Sequence, residues 1–363
     1  MARLDSFLRL VVEQGASDLH FMAGNKPLIR HDGHLVPIPF RVLRDVEARR
    51  FLLEILDPEQ TKALGQEQEL DFAYDLPGVG RFRANVFLQS RGIGAVFRVI
   101  PERAPRLSEL GLPSTIRRVL DLANGLVLFT GPTGCGKSTT QAALINELNE
   151  TRSLHVITIE DPIEFVHQRN QSLINQREVG THVASFEIAL RSALRESPDV
   201  ILIGEMRDLE TIKLALSAAE TGVLVFGTLH TGSSAKAVDR IVDAFPSGQA
   251  NQVRGVLSSI TRAIVSQRLV PRASGDGREV AMELLFVNTA VGNMIRENKS
   301  YQIDSMLQSM EPGTGMQSLD NHLLRLVKTG RVLASEAANH AVYPHLFESL
   351  VAAEEERRGG SLR

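Results

Sequence analysis

From about residue 122 to residue 230, short and almost wholly apolar runs alternate with segments of helical period. The runs are Leu126–Thr130, His155–Glu160, Val200–Gly204 and Leu224–Leu229. Their length and their lack of polar alternation predict strands buried on both faces. Between them, Phe186, Leu190, Ala193 and Leu194 share one helical face, and Leu209, Ile212, Leu216 and Ala219 share another. Asp208 stands where the second helix needs an N-cap, and Gly222 lies just past its end. Strands and helices in this alternation predict an α/β fold with a mainly parallel sheet covered on both faces. Farther on, the pattern predicts helices around Ser234–Phe245 and Gln249–Leu269, a strand at Val280–Val287, and helix from there to about Leu350.

The N-terminal third reads differently. Phe7, Leu8, Val11 and Val12 mark one face of a helix that ends at Gly15. Strand-like pieces follow at Leu19–Met22 and Pro27–Ile29, then a turn at His31-Asp32-Gly33 and a return through Leu35–Ile38. A helix is predicted over Asp45–Leu56, stopped by Asp57-Pro58. Asp71–Asp75 and Arg81–Phe87 flank the turn Pro77-Gly78-Val79-Gly80, and Gly94–Ile100 reads as one more strand. The expected organisation is a small α/β unit over 1–102, a proline-rich linker over 103–113, a second domain over 114–350 and a disordered tail over 351–363.

Composition narrows the classes. The 363 residues are 43% hydrophobic and 23% charged, which suits a globular chain with a sizeable core. A net charge of −3 supplies no global field toward nucleic acid, and no aromatic-basic stripe is present, so no nucleic-acid partner is expected. The single cysteine, Cys135, excludes an internal disulfide, and no Cys/His spacing suggests zinc. His31 and His34 read as solvated loop histidines. No apolar run approaches the ~20 residues that span a bilayer, and the N-terminus is too short and too charged for a signal peptide. A cytoplasmic location is expected, with any membrane contact made through a partner.

Chemistry enters with Gly131-Pro132-Thr133-Gly134-Cys135-Gly136-Lys137-Ser138, which satisfies every fixed position of a phosphate-cradling loop and is followed by Thr139. The loop follows a predicted strand and opens a predicted helix. Glycines there let backbone N–H groups turn toward phosphates, and the helix adds its N-terminal donors. A nucleoside triphosphate, ATP, is therefore expected, with Lys137 on the β- and γ-phosphates and Ser138 on Mg²⁺. A bulky adduct on Cys135 would block this loop, so sensitivity to thiol reagents is expected.

Three further strand ends carry polar groups. Val200–Ile203 runs through Gly204 to Glu205, which would orient or deprotonate the attacking water. Gly204 stands where many such motifs have Asp, so contact between Glu205 and the metal is expected through water. After the strand at His155–Glu160, the carboxylates Glu160, Asp161 and Glu164 could hold metal-bound waters or position the nucleophile. His230, after Leu224–Leu229, could sense the γ-phosphate. In the N-terminal unit, Arg81, Arg83 and Arg98 punctuate apolar strands. Alternation makes them a solvated face, or else cationic donors to a nucleotide held by a neighbouring domain or subunit.

Together these elements resemble the secretion-type motor ATPases, above all the type IV pilus retraction ATPases of the PilT family. Gly131–Ser138 is similar to that family's Walker A loop, Thr158–Phe165 to its Asp box, Ile203–Asp208 to its Walker B segment and Phe226–Thr231 to its His box. The likeness runs from Gly15-Ala-Ser-Asp-Leu-His20 through Gly80–Phe87 to Met316–Asp320, and Ala290–Glu297 resembles a C-terminal segment that retraction motors need. The resemblance implies a PAS-like N-terminal α/β domain, a RecA-like ATPase domain with C-terminal helices, and a homo-hexameric ring. It implies ATP hydrolysis driving pilus disassembly and twitching motility through an inner-membrane platform protein, with the nucleotide between the two domains. The chain's shortness and its single cysteine set it apart from the extension motors, which carry a longer N-terminal region and a tetracysteine zinc site. Cys135 departs from the usual serine, Val223 from a frequent histidine, and Gly292 and Met294 alter the C-terminal segment. An accessory retraction ATPase, a nucleic-acid translocase on a similar core and a non-hydrolysing scaffold are the alternatives.

Overall fold

The computed structural model describes residues 2–31, 34–101, 103–309 and 314–360, with the side chains of 357–360 left aside. The chain divides into two units. The first comprises Met1–Arg103 together with Pro162–Val166, and the second comprises Ala104–Asp161 and His167–Arg363. The expected linker segment from residue 104 onward packs with the second unit and carries a short 3-10 turn at Leu107–Glu109.

The first unit runs α1 (Asp5–Glu13), β1 (Asp18–Met22), β2 (Leu28–His31), β3 (His34–Pro37), α2 (Asp45–Leu53), α3 (Pro58–Glu67), β4 (Glu69–Leu76), β5 (Gly80–Gln89) and β6 (Gly92–Ile100). Its six strands form one antiparallel sheet in the order β3-β2-β1-β6-β5-β4. Period-two alternation splits the faces: Leu19, Phe21, Phe82, Ala84, Val86, Ala95 and Phe97 join the core with Phe7 and Leu8 of α1 and Ala48 and Leu52 of α2. Two expectations change here. The helix from Asp45 stops at Leu53, and Asp57-Pro58 starts α3: Asp57 accepts from the Gln60 N–H at 2.7 Å, with Pro58 at the first helical position. The expected turn at Asp32-Gly33 lies outside the described residues.

In the second unit a 3-10 segment at Ser114–Asp121 follows the turn at Leu107–Glu109. It continues with β7 (Gly125–Thr130), α4 (Lys137–Thr151), β8 (His155–Glu160), β9 (Leu173–Glu178), α5 (Phe186–Ala193), β10 (Val200–Ile203), α6 (Leu209–Glu220), β11 (Leu224–Leu229), α7 (Ser234–Asp243), α8 (Ala250–Ile260), β12 (Thr261–Pro271) and β13 (Arg278–Phe286). Among the described residues the α-helices that follow are α9 (Thr289–Arg296), α10 (Gln302–Gln308), α11 (Leu319–Lys328), α12 (Ala334–His340) and α13 (Glu348–Gly360). The seven strands are ordered β13-β12-β7-β11-β10-β8-β9, parallel except that β13 runs against β12. Leu126, Leu128, Ile157, Ile201 and Val225 face one core, and Val127, Phe129, Val156, Leu202 and Phe226 face the other.

The helix expected over Gln249–Leu269 is corrected to α8 followed by β12. Val253, Leu257, Ile260 and Ile264 keep a helical period, which concealed the change. Thr261-Arg-Ala-Ile-Val-Ser is rich in branched residues, and pairing with β7 and β13 on its two sides makes it a central strand. β9, mostly polar, also escaped the apolar reading; it lies at the sheet edge beside β8. Over 351–360 the expected disordered tail is helix instead, since α13 continues to Gly360, and 361–363 lie outside the described residues. Leu350 and Val351 pack against the core of the C-terminal helices, and the Glu354 carboxylate accepts from the Ser335 N–H.

Candidate functional site

Four strands of the second unit, β7, β11, β10 and β8, lie side by side and point the same way, so their carboxyl ends share one edge. That edge carries the phosphate-loop residues after β7, His230 after β11, Glu205 after β10 and Glu160 ending β8.

The loop is shaped by backbone freedom at three glycines: Gly131 (φ 140°), Gly134 (φ 76°) and Gly136 (φ 89°), a region that costs other residues strain. Lys137 opens α4 with its side chain folded back, its Nζ donating to the Gly131 carbonyl at 2.7 Å and the Pro132 carbonyl at 3.0 Å. Ser138 and Thr139 follow in the first turn, partly exposed beside the helix N-terminus. β7 is tied to the end of β11 by the Thr130 hydroxyl, which bonds the Thr231 backbone carbonyl at 2.6 Å and accepts from its N–H at 3.1 Å.

Glu205 is placed by its neighbours in sequence. A Cβ on Gly204 would sit 3.1 Å from the Ile159 carbonyl and 3.2 Å from the Glu160 Cα, so the close approach of β8 leaves little room for a side chain there. Met206, 2% exposed, is a plug: its N–H bonds the Thr228 carbonyl at 3.0 Å, and its sulfur occupies the space that a side chain on Gly227 would need. The Glu205 carboxylate then meets the Arg207 guanidinium at 2.5 Å and the His230 Nε2 at 3.2 Å. Burial works to raise its pKa, but the bond from Arg207 and the nearby charges outweigh it and hold the carboxyl below its usual value. On the other side of the ring, His230 Nδ1 lies 3.5 Å from the Thr133 hydroxyl. A polar chain thus runs from the phosphate loop through His230 to Glu205 and Arg207. Glu160 accepts from the Thr158 hydroxyl at 2.7 Å at the same edge.

Two groups of expected site residues fall elsewhere. Glu164 lies in Pro162–Val166, which belongs to the first unit, so the second unit does not itself gather it with Glu205 and His230. Arg81, Arg83 and Arg98 also belong to the first unit, and there one polar sheet face collects them. Arg83 pairs across strands with Arg98, Arg98 with Asp18, and Asp18 with Arg30. The Arg98 Nε donates to the Asp18 carboxylate at 2.9 Å, while Arg81 lies 3.4 Å from Asp75. Burial works to raise the Asp18 pKa; its bonds to Ser17 and Arg98 prevail and lower it.

The surroundings of Cys135 weigh against the expected thiol sensitivity. Cys135 is 3% exposed, and burial pushes its pKa up despite the nearby Lys137 ammonium. Both features disfavour the reactive thiolate.

Residues 2–345 match the Type II/IV secretion system protein family. The chain belongs to that family. It is 48% identical to the type IV pilus retraction ATPase PilT of Pseudomonas aeruginosa over 344 residues, 95% of this chain and 99% of that one. It is 50% identical to the twitching motility protein of Neisseria gonorrhoeae over 333 residues, covering 92% and 88% of the two chains. Among solved structures, the pilus retraction motor PilT with bound ADP superposes with a TM-score of 0.88 at 44% identity, covering 96% of this chain and 99% of that one. The antiparallel-sheet unit and the parallel-sheet unit are the PAS-like and RecA-like pair that the resemblance implies.

For Mg²⁺ the donor chemistry fits. Among the described residues no group of three or more His, Cys, Asp or Glu could hold a metal ion, so a closed protein cage is absent. A Mg²⁺ bound to nucleotide phosphates needs few protein ligands and keeps waters. Were the ion present, the Ser138 hydroxyl would ligate it, Glu205 and Glu160 would hold its waters, and it would neutralise phosphate charge. No helix among the described residues is long and apolar enough to cross a membrane.

Proposed function

We propose that this chain is the motor ATPase of type IV pilus retraction: it hydrolyses ATP and thereby drives pilin disassembly and twitching motility. The observation that carries the reading is near-full-length similarity to retraction and twitching motors, combined with a strand-end edge where phosphate loop, carboxylate and histidine meet. The backbone N–H groups that the Gly131–Ser138 loop offers, Pro132 having none, and the Lys137 side chain bind the phosphates, and Ser138 assists with Mg²⁺. Glu205, ionised at neutral pH, orients the attacking water and accepts its proton. The water oxygen bonds the γ-phosphorus as the bond to the β–γ bridging oxygen breaks, giving ADP and phosphate. His230, between Thr133 and Glu205, couples the state of the γ-phosphate to that carboxylate. Glu164 serves as a further catalytic carboxylate, and the arginines Arg81, Arg83 and Arg98 serve as cationic donors to the bound nucleotide.

The chain works as a homo-hexameric ring in the cytoplasm. It reaches the inner membrane only through a platform protein of the pilus machinery. The test is deletion with complementation by wild type and by Glu205→Ala, scoring piliation and motility together. Surface pili retained with motility lost, restored by wild type alone, is the expected result. A deletion strain that moves normally, or that lacks surface pili, sinks the proposal.

A further inference from the structure

We infer that Gln267 is a positioning residue for the phosphate loop, its side-chain amide on β12 holding the loop backbone in the shape that receives phosphates. This rests on the reading of Gly131–Ser138 as the nucleotide site. Gln267 is 2% exposed. Its Nε2 donates to the Cys135 backbone carbonyl at 2.7 Å, and its Oε1 accepts from the Thr140 hydroxyl at 2.9 Å, with Thr140 itself 1% exposed. One planar group thus joins the crown of the loop to the first turn of α4.

The glycines on either side show how tightly β12 is fitted. A side chain on Gly131 would collide with the Gln267 backbone carbonyl, and a Cβ on Gly136 would lie 2.8 Å from the Gln267 Nε2. These two glycines are needed for their positive φ and also to let β12 approach. The consequence for binding follows from peptide geometry. In a trans peptide the carbonyl and the following N–H point in opposite directions. Holding the Cys135 carbonyl against β12 therefore turns the Gly136 N–H away from β12, free to meet a phosphate oxygen. Glutamine suits the position because its amide donates and accepts from one end. Glutamate of the same length cannot donate when ionised, leucine can do neither, and asparagine is a methylene short.

The experiment uses the full chain with Gln267→Glu, Gln267→Leu and Thr140→Val, titrating fluorescent ADP and measuring KM and kcat for ATP. Both Gln267 variants are expected to weaken ADP binding and raise KM by about tenfold or more, with kcat at saturating ATP within about threefold of wild type. Thr140→Val, which removes half of the clamp, should weaken binding about threefold and add nothing on top of Gln267→Leu, since the two act as one unit. Wild-type ADP affinity in a folded Gln267 variant overturns the inference, as does a fall in kcat with KM unmoved. If neither Gln267 variant folds, wild-type affinity in Thr140→Val overturns it instead. Glu205→Gln should change kcat and leave ADP affinity intact, so failure of the hydrolytic reading and failure of the Gln267 clamp are seen separately.

Discussion

In the antiparallel sheet of the first unit, polar side chains are spread across a face; in the parallel sheet of the second, they are gathered at one end. The first arrangement follows from alternation. Arg30, Asp18, Arg98 and Arg83 stand in a row across four strands because each strand sends every second residue to that face. The second follows from direction. Both faces of the parallel sheet are buried, so its polar groups are displaced to the ends, and parallel strands bring four ends to one edge. A face of arginines offers charge over an area. An edge of Glu205, His230 and a glycine loop offers groups within hydrogen-bond reach of one another, which is what bond-making chemistry requires.

The largest expected effect breaks the edge. Glu205→Gln should lower kcat by about 10²- to 10⁴-fold, the usual worth of a positioned base, while ADP binding persists. Lys137→Ala should instead abolish nucleotide binding in the same titration. Retained turnover in Glu205→Gln would mean that the edge gathers these groups without using them. Next in size, His230→Asn should lower kcat by roughly tenfold, because the bond to Glu205 and the contact to Thr133 are lost together. An unchanged rate there would leave His230 a structural residue.

The face should respond more weakly. Arg83→Ala and Arg98→Ala are each expected to reduce turnover by several-fold, about 1 kcal/mol, with Arg83 the larger because the Arg98 charge is already shared with Asp18. If neither change moves the rate, the arginine face is a solvated surface and the contrast between the sheets becomes absolute. For Cys135, slow reaction with maleimide in the native chain and fast reaction after unfolding are expected, read by mass spectrometry.

A separate effect concerns stability rather than turnover. His322 is buried, its Nδ1 accepts from the Met282 N–H, and burial drives its pKa down to about 4. In the unfolded chain it would take up a proton near its ordinary value of 6.5. The unfolded state therefore binds more protons, and stability falls as pH drops from 6.5 toward 4. A melting series over that range should slope downward, and His322→Gln should flatten part of the slope. An equal slope in the variant would assign the acid sensitivity to other groups.

Much of this was legible in the chain itself. The run Leu126–Thr130, the glycine spacing after it and Glu205 behind Val200–Ile203 declare strand, loop and carboxylate without any coordinates. The arginines were visible as interruptions of apolar strands. Two things were hidden for physical reasons. β12 carries a helical period into Ile264, so only its pairing between β7 and β13 reveals a strand, and with it the Gln267 side chain beneath the loop. Glu164 follows Glu160 closely in sequence, yet Pro162–Val166 packs with the first unit, a division that spacing along a chain does not encode.

Local physics is therefore what the amino-acid order determined by itself: which residues must be buried, where glycine permits a phosphate cradle, which strands end in a charge. Tertiary structure alone decided which ends become neighbours, because strand order depends on how helices cover both faces of the sheet. It also decided that a glutamine 132 positions along the chain from Cys135 holds that residue's carbonyl, and that the thiol in the loop is buried. Both are properties of packing, and packing is set by the whole chain at once.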